Sequence, residues 1–131
     1  IETALAKFEG QTGIATDLQQ IGSGVPLSPT DEIQVMHIVQ ESLSNIRKHA
    51  QASHVQVTVK RNLGQIEVVV QDDGRGFDTV HEPNVKSDRH VGLKIMRERA
   101  QRVGGACQIT SGIGEGTRVC LSVPRGNGEA A

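Results

Sequence analysis

The sequence predicts an α+β domain, a two-layer sandwich in which a mostly antiparallel sheet carries helices on one face. Alternating apolar residues mark strands that follow one another closely, at residues 54–60 and 66–71 and again at 106–111 and 117–123. Longer stretches with helical spacing of apolar residues separate these strand pairs. Because such strands can pair through short hairpins, the order favours this architecture over a doubly wound parallel sheet.

Composition limits the classes of function. The chain has 131 residues, enough for one domain, and Leu, Ile, Val and Phe make up about 26% of it, above the roughly 20% below which disorder is expected. The formal net charge is −1 and aromatic residues are 2%. A nucleic-acid binder would need a basic surface or stacking aromatics, so we expect no nucleic-acid partner.

No stretch approaches the about 18 consecutive apolar residues of a membrane span, and the first residues do not resemble a signal peptide. We therefore expect a soluble, intracellular domain that makes no membrane contact. The chain begins at Ile1 rather than Met, which suggests a part of a longer protein.

The first half of the chain predicts two helices and a strand between them. A helix over residues 1–12 ends at Gly10 or Gly13, a strand covers 14–21 and a loop covers 22–29. Thr30 or Ser28 caps the longest helix. Its apolar face is predicted from a spacing of three and four residues, at Ile33, Met36, Val39, Leu43, Ile46 and Ala50.

A hairpin over residues 54–71 follows, and then a polar stretch, 74–92, without periodicity, which is typical of a functional or mobile loop. The next helix begins after Gly92 and ends at Gly104–Gly105, and the tail 124–131 is expected to be flexible. Cys107 and Cys120 fall on opposite faces of the last two strands, which predicts two reduced thiols.

One side of the long helix carries polar residues at intervals of four, His37, Glu41, Asn45 and His49, with Lys48 close to the same side. A solvated helix face would explain the spacing. A carboxylate, an amide oxygen and an ammonium group together also suit Mg²⁺ and phosphate.

Three glycine-containing segments are further candidates. Asp72-Asp73-Gly74-Arg75-Gly76 ends a strand, which fits either a simple turn or a carboxylate that accepts from the amino group of a planar ligand such as adenine. Gly92 precedes a helix whose N-terminus could hold an anion, or merely allows the chain to turn. Gly114-Glu115-Gly116-Thr117 could be only a hairpin turn.

Taken in order, these segments resemble the N, G1, G2 and G3 boxes of the GHKL ATPase/kinase superfamily: Glu41-x-x-x-Asn45-x-x-Lys48-His49, Asp72-x-Gly74-x-Gly76, Gly92-Leu93 and Gly114-x-Gly116-Thr117. The resemblance covers residues 27–123. Residues 40–45, 48–52 and 96–100 are similar to bacterial sensor histidine kinases of the NarX-type nitrate/nitrite sensor group.

This resemblance implies a Bergerat-type fold with an ATP lid at about 74–92, and it implies ATP and Mg²⁺ as ligands. Asp72 would accept from the adenine amino group, Gly74 and Gly76 would shape the base pocket, and Thr117 would support it. Gly92 and Leu93 would belong to the nucleotide site.

At the phosphate end, the resemblance makes Asn45 the Mg²⁺ ligand and makes Lys48 and His49 phosphate contacts. Glu41 takes the position of a general base and is a second candidate metal ligand. With Asn45 and Lys48 it forms the expected catalytic set.

The function implied is transfer of the ATP γ-phosphoryl group to a histidine on an upstream dimerisation domain, for relay to a response regulator, with nitrate or nitrite as candidate signals. The sensor and phosphoacceptor domains would lie outside this chain. The chain would be the monomeric, cytoplasmic portion of an inner-membrane sensor. A GHKL ATPase, an anti-sigma-type serine kinase and a non-catalytic nucleotide-binding module remain alternatives.

Overall fold

The computed structural model describes residues 1–22, 27–62, 64–76 and 88–124, without the side chains of residues 49–50 and 88–91. The helices there are α1 (Glu2–Thr12), α2 (Pro29–Asn45) and α3 (Asp88–Arg102). The strands are β1 (Ala15–Gly22), β2 (His54–Arg61), β3 (Gln65–Asp72), β4 (Ala106–Ser111) and β5 (Thr117–Pro124). A π-helical turn, Ile46–Ala50, continues α2. Within these ranges, no helix has the length and apolar character required to cross a membrane.

The five strands form one sheet in the order β1-β2-β3-β5-β4. β1 pairs with β2 in parallel, and the other three pairs are antiparallel. The parallel pair needs a long crossover, which α2 supplies. The predicted α+β class with a mostly antiparallel sheet is confirmed.

The core lies between the helices and one face of the sheet. Alternate residues of β2, including Val55 and Val57, are fully buried there, and Leu121 and Val123 of β5 join them. The helices contribute apolar side chains to the same cluster, among them Leu5, Phe8, Ile38, Val39, Leu43 and Met96. All three helices therefore pack on this face, as predicted.

The predicted apolar face of α2 is partly wrong. Ile33 is 57% exposed, whereas Val35 and Ile38 are buried in the core. The buried face of α2 is shifted by about one position from the predicted face. It also includes Ser42, whose hydroxyl donates to the carbonyl of Ile38 at 2.9 Å. A serine whose hydroxyl bonds to a carbonyl of its own helix can be buried. A prediction that uses only apolar residues therefore leaves Ser42 out of the buried face. Ser28, not Thr30, caps α2, its Oγ accepting from the backbone N–H of Asp31 at 3.2 Å.

The predicted start of α3 is also wrong. α3 begins at Asp88, so Gly92 lies inside the helix and not before it. A glycine within a helix costs only roughly 0.5–1 kcal/mol relative to alanine, which packing can offset. The polar stretch predicted at 74–92 is shorter accordingly, and its residues 77–87 lie outside the described part of the chain. The same holds for residues 125–131 of the tail.

The C-terminal end of α3 follows the prediction. Gly104 has a φ of +71°, and the N–H of Gly105 donates to the carbonyl of Ala100 at 2.9 Å. Left-handed glycines are the common way to end a helix.

Both cysteines are free thiols, as predicted. Cys107 packs against the core and pairs with Leu121, while Cys120 alternates with the buried residues of β5 and so faces the other side. Burial raises the pKa of the Cys107 thiol to about 11.

Candidate functional site

One end of the sheet brings three polar side chains together. Strand register pairs Asp72, the last residue of β3, with Thr117, the first of β5, and pairs Thr117 with Ser111, the last of β4. Each alternates in step with the core residues of its strand, such as Val70 and Val119. Because residues two apart share a face, all three side chains lie on the helix-facing side of the sheet.

Asp72 is buried, with a relative exposure of 4%. Its Oδ1 accepts a 2.7 Å hydrogen bond from the backbone N–H of Gly74. Burial raises the pKa of the Asp72 carboxyl, and hydrogen bonds from the backbone N–H groups of Gly74 and Thr117 oppose this rise. A carboxylate kept among backbone donors at the edge of the core is suited to accept from a ligand amino group.

Glycines let the two loops at this end of the sheet approach each other. Gly76 has a φ of +64°, and a Cβ there would overlap the carbonyl oxygen of Gly112 and lie 2.8 Å from that of Gly116. A Cβ on Gly116, whose φ is +74°, would overlap the carbonyl oxygen of Asp72. The N–H of Gly114 donates to the carbonyl of Arg75 at 2.6 Å. The Asp72–Gly76 segment and the β4–β5 turn thus form one continuous backbone wall.

Glu41, Asn45 and Gly92 meet where α2 packs on α3. A Cβ on Gly92 would overlap Oε2 of Glu41 and would lie 3.0 Å from its Cδ and 3.3 Å from Nδ2 of Asn45. The missing side chain of Gly92 therefore makes room for these two polar groups. Sequence reasoning assigned Gly92 to a helix N-terminus that could hold an anion, and the structure corrects this to a close-packing position.

The other predicted site residues lie in the π-helical turn, on α2 and on α3. Lys48 is exposed and lies in the π-helical turn. His49 lies in the same turn, and its side chain is not among those that the structure describes. His37 is exposed. The side chain of Leu93 is buried in the core, with 8% exposure, so it supports α3 from inside.

Asp73 fastens the end of β3 to the segment that follows the π-helical turn. Its Oδ1 accepts from the backbone N–H groups of Ser53 and His54, at 2.9 and 3.0 Å, and its Oδ2 accepts from the hydroxyl of Ser53 at 2.6 Å. These bonds, led by that from the Ser53 hydroxyl, lower the pKa of Asp73 to about 2.

Asp73 and Ser111 have roles that sequence reasoning missed. The doubled aspartate at a strand end was a signal for the first. For the second, Ser111 and Thr117 lie at equal distances on either side of Gly114, so a symmetric hairpin would have paired them.

The chemistry of the groups fits a nucleotide with a magnesium ion. Mg²⁺ is usually bound through one or two protein oxygen ligands together with substrate phosphates. Glu41 and Asn45, side by side at Gly92, offer a carboxylate and an amide. Asp72 offers a buried carboxyl group next to the backbone of Gly74.

Comparison with known proteins gives a consistent result. The profile of the family described as histidine kinase-, DNA gyrase B-, and HSP90-like ATPase matches residues 30–127. The solved histidine kinase domain of the blue-light activated histidine kinase of Erythrobacter litoralis superposes with a TM-score of 0.74 at 27% identity, over 92% of this chain and 57% of that one.

Two curated relatives are sensor kinases. The signal transduction histidine-protein kinase/phosphatase DegS of Brevibacillus brevis is 38% identical over 117 residues, which are 89% of this chain and 29% of DegS. The nitrate/nitrite sensor protein NarX of Escherichia coli K12 is 42% identical over 90 residues, which are 69% of this chain and 14% of NarX. The chain thus spans less than a third of these relatives.

Proposed function

Since this chain belongs to the histidine kinase-, DNA gyrase B-, and HSP90-like ATPase family, we propose that it binds ATP and supplies the γ-phosphoryl group to a histidine on another domain. The observation that carries the proposal is the buried carboxyl of Asp72 beside Thr117, walled by Gly76 and Gly116. A buried acceptor next to backbone without side chains suits the amino edge and the flat face of adenine.

In this proposal Asp72 accepts a hydrogen bond from the exocyclic amino group of the base. Gly74 and Gly76 have no side chains, so a planar ring can lie against their backbone. Thr117 supports the carboxyl of Asp72 through its backbone N–H. These residues bind and orient ATP and take no part in the chemical step.

The phosphate end lies toward α2. Asn45, with Glu41 as a second candidate ligand, would hold Mg²⁺, and Lys48 and His49 would contact phosphate oxygens. When bound, the ion neutralises phosphate charge, which is the main need of phosphoryl transfer. Glu41 is placed by Gly92 and would accept or steer a proton on the acceptor imidazole.

The remaining assignments come from the relatives. Sensor histidine kinases imply an upstream dimerisation and phosphoacceptor domain and a response regulator as partners. Likeness to NarX suggests a membrane-anchored parent in which this chain is the cytoplasmic, monomeric catalytic domain, and it makes nitrate or nitrite a candidate signal. We propose a single domain over residues 1–131, with the ATP lid between β3 and α3.

The first test is calorimetric titration of the purified chain with ATP, once with Mg²⁺ and once with EDTA. We expect saturable binding that is tighter with Mg²⁺. Absence of heat in both buffers would contradict the proposal.

Asp72→Asn is the matched control variant for this titration. The carboxamide keeps an oxygen that can accept from Gly74 but adds a donor toward the amino group of adenine, so ATP affinity should fall by roughly 10- to 100-fold. Because burial already disfavours the charged form of Asp72, we expect no loss of thermal stability. Unchanged ATP affinity in this variant would refute the adenine assignment.

A further inference from the structure

The hydroxyl of Ser111 contacts the β4–β5 turn and the start of β5. Its Oγ lies 2.9 Å from the carbonyl oxygen of Gly116 and 2.9 Å from Oγ1 of Thr117. A Cβ on Gly76 would lie 3.0 Å from Oγ of Ser111. Ser111 thus lies next to Thr117, which pairs with Asp72 on its other side, on the helix-facing side of the sheet.

These two hydrogen bonds can form together in only one arrangement of protons. A carbonyl oxygen only accepts, so Ser111 must give its single hydroxyl proton to Gly116. The bond between the two hydroxyls then requires Thr117 to donate to Ser111. Thr117 has no second hydroxyl proton, and what its Oγ1 offers to a ligand is a lone pair.

We propose that Ser111 is a specificity-determining positioning residue, which makes the Thr117 hydroxyl a pure acceptor and so selects a purine that carries an amino group at position 6. This rests on the proposed ATP binding. With the Thr117 proton committed, both Thr117 and the Asp72 oxygens present acceptors to the edge of the base. A 6-amino group donates to them, whereas a 6-oxo group meets only lone pairs.

Removal of the Ser111 hydroxyl should relax this selection. In Ser111→Ala the Thr117 hydroxyl can rotate and donate to a 6-oxo group. The probes are ATP and inosine triphosphate, which differ at this edge of the base. We expect the ratio of their dissociation constants to shrink by roughly five- to tenfold, about the effect of one hydrogen bond, chiefly through tighter binding of inosine triphosphate.

Ser111→Thr is the matched control, because it keeps a hydroxyl on a strand residue, and it should retain the parent's preference for ATP. If the role of Ser111 is purely structural, Ser111→Ala should weaken the binding of both nucleotides equally and leave the ratio of their dissociation constants unchanged. Thermal melting of each variant without nucleotide reports whether it is folded.

Thr117→Val tests the same idea without altering Ser111. This variant removes the acceptor and should also reduce the preference for ATP. The double variant that also carries Ser111→Ala should show no further change in the ratio, since Ser111 acts through Thr117. If folded Ser111→Ala leaves the ratio of the two dissociation constants unchanged, the inference is overturned while ATP binding stays intact. If Ser111→Ala does not fold, an unchanged ratio in Thr117→Val has the same meaning. Failure of the parent chain to bind either nucleotide would instead overturn the proposed function.

Discussion

Gly92 shows how a residue without a side chain can place a functional one. Its missing Cβ is the space into which Oε2 of Glu41 extends, next to the amide of Asn45. The atom that a methyl group would meet is the far end of a flexible side chain. An added methyl should therefore move the carboxylate and leave the helices in place.

We expect Gly92→Ala to separate stability from activity. Alanine favours a helix interior by roughly 0.5–1 kcal/mol over glycine, so the free energy of unfolding should stay equal or rise. The displaced Glu41 should slow phosphoryl transfer by roughly 10- to 100-fold, if it acts as the general base. The rate is measured in a protein that includes the upstream phosphoacceptor domain.

Gly10→Ala in α1 is the control, because a Cβ there meets nothing within 4 Å. It should show the stability gain without any change in rate. Equal rates in the parent and in Gly92→Ala would mean that the position of Glu41 does not matter for transfer.

Asn45 gives a second prediction at this scale. If its amide oxygen holds Mg²⁺, Asn45→Ala should bind ATP with nearly the same affinity in Mg²⁺ as in EDTA. Asn45→Asp retains an oxygen ligand and should preserve the dependence on Mg²⁺. Calorimetric titration in both buffers measures this, and full Mg²⁺ dependence in Asn45→Ala would remove Asn45 from the metal site.

At the scale of elements, Asp73 is the link between β3 and the segment after α2. Its carboxylate accepts three hydrogen bonds from Ser53 and His54, and its pKa is lowered from 3.8 to about 2. A lowered pKa in the folded state means that the ionised form stabilises the fold. That contribution is complete above about pH 4 and is lost as the pH falls through about 2.

Asp73→Asn should therefore be less stable than the parent at neutral pH, and the difference should shrink as the pH falls from 4 toward 2. Urea unfolding at a series of pH values, with both proteins side by side, measures this difference. The loss of other paired carboxylates is common to both proteins and cancels. A difference that stays constant over this range would show that the charge of Asp73 is not what ties the two segments together.

At the scale of the whole molecule, the proposed function places the nucleotide site and the acceptor histidine in different domains. Incubated with ATP labelled in its γ-phosphate, the chain should bind nucleotide but incorporate little label. Addition of the upstream dimerisation domain of the same protein should restore transfer to that domain. Efficient hydrolysis, or labelling of a serine without any added histidine domain, would favour the ATPase or serine-kinase alternatives.

Local patterns were sufficient for much of the fold. The alternation of valines in residues 54–60 and 66–71 predicted the β2–β3 hairpin, and the same signal predicted β4 and β5. Asp72 could be nominated as a site residue because a carboxylate followed by glycines at a strand end suits a planar ligand, and Thr117 was assigned through the resemblance to the GHKL boxes. These features depend on neighbours close in sequence, which is why the sequence reveals them.

Other features depend on contacts between distant segments. The parallel pairing of β1 with β2, the exposure of Ile33, the burial of Ser42 and the start of α3 at Asp88 were not predicted. Each follows from how helices and sheet pack together, which outweighs local preferences of about 1 kcal/mol or less per residue.

The sequence by itself determined the class of fold, the order of most elements and the family to which the chain belongs, because periodicity and motif spacing are local properties. Only the tertiary structure decided that Gly92 makes room for Glu41, that Asp73 ties β3 to Ser53, and that Ser111 bonds to Thr117. The physical reason is that a hydrogen bond or a close approach forms between surfaces that packing brings together, and no short-range pattern records which surfaces those are.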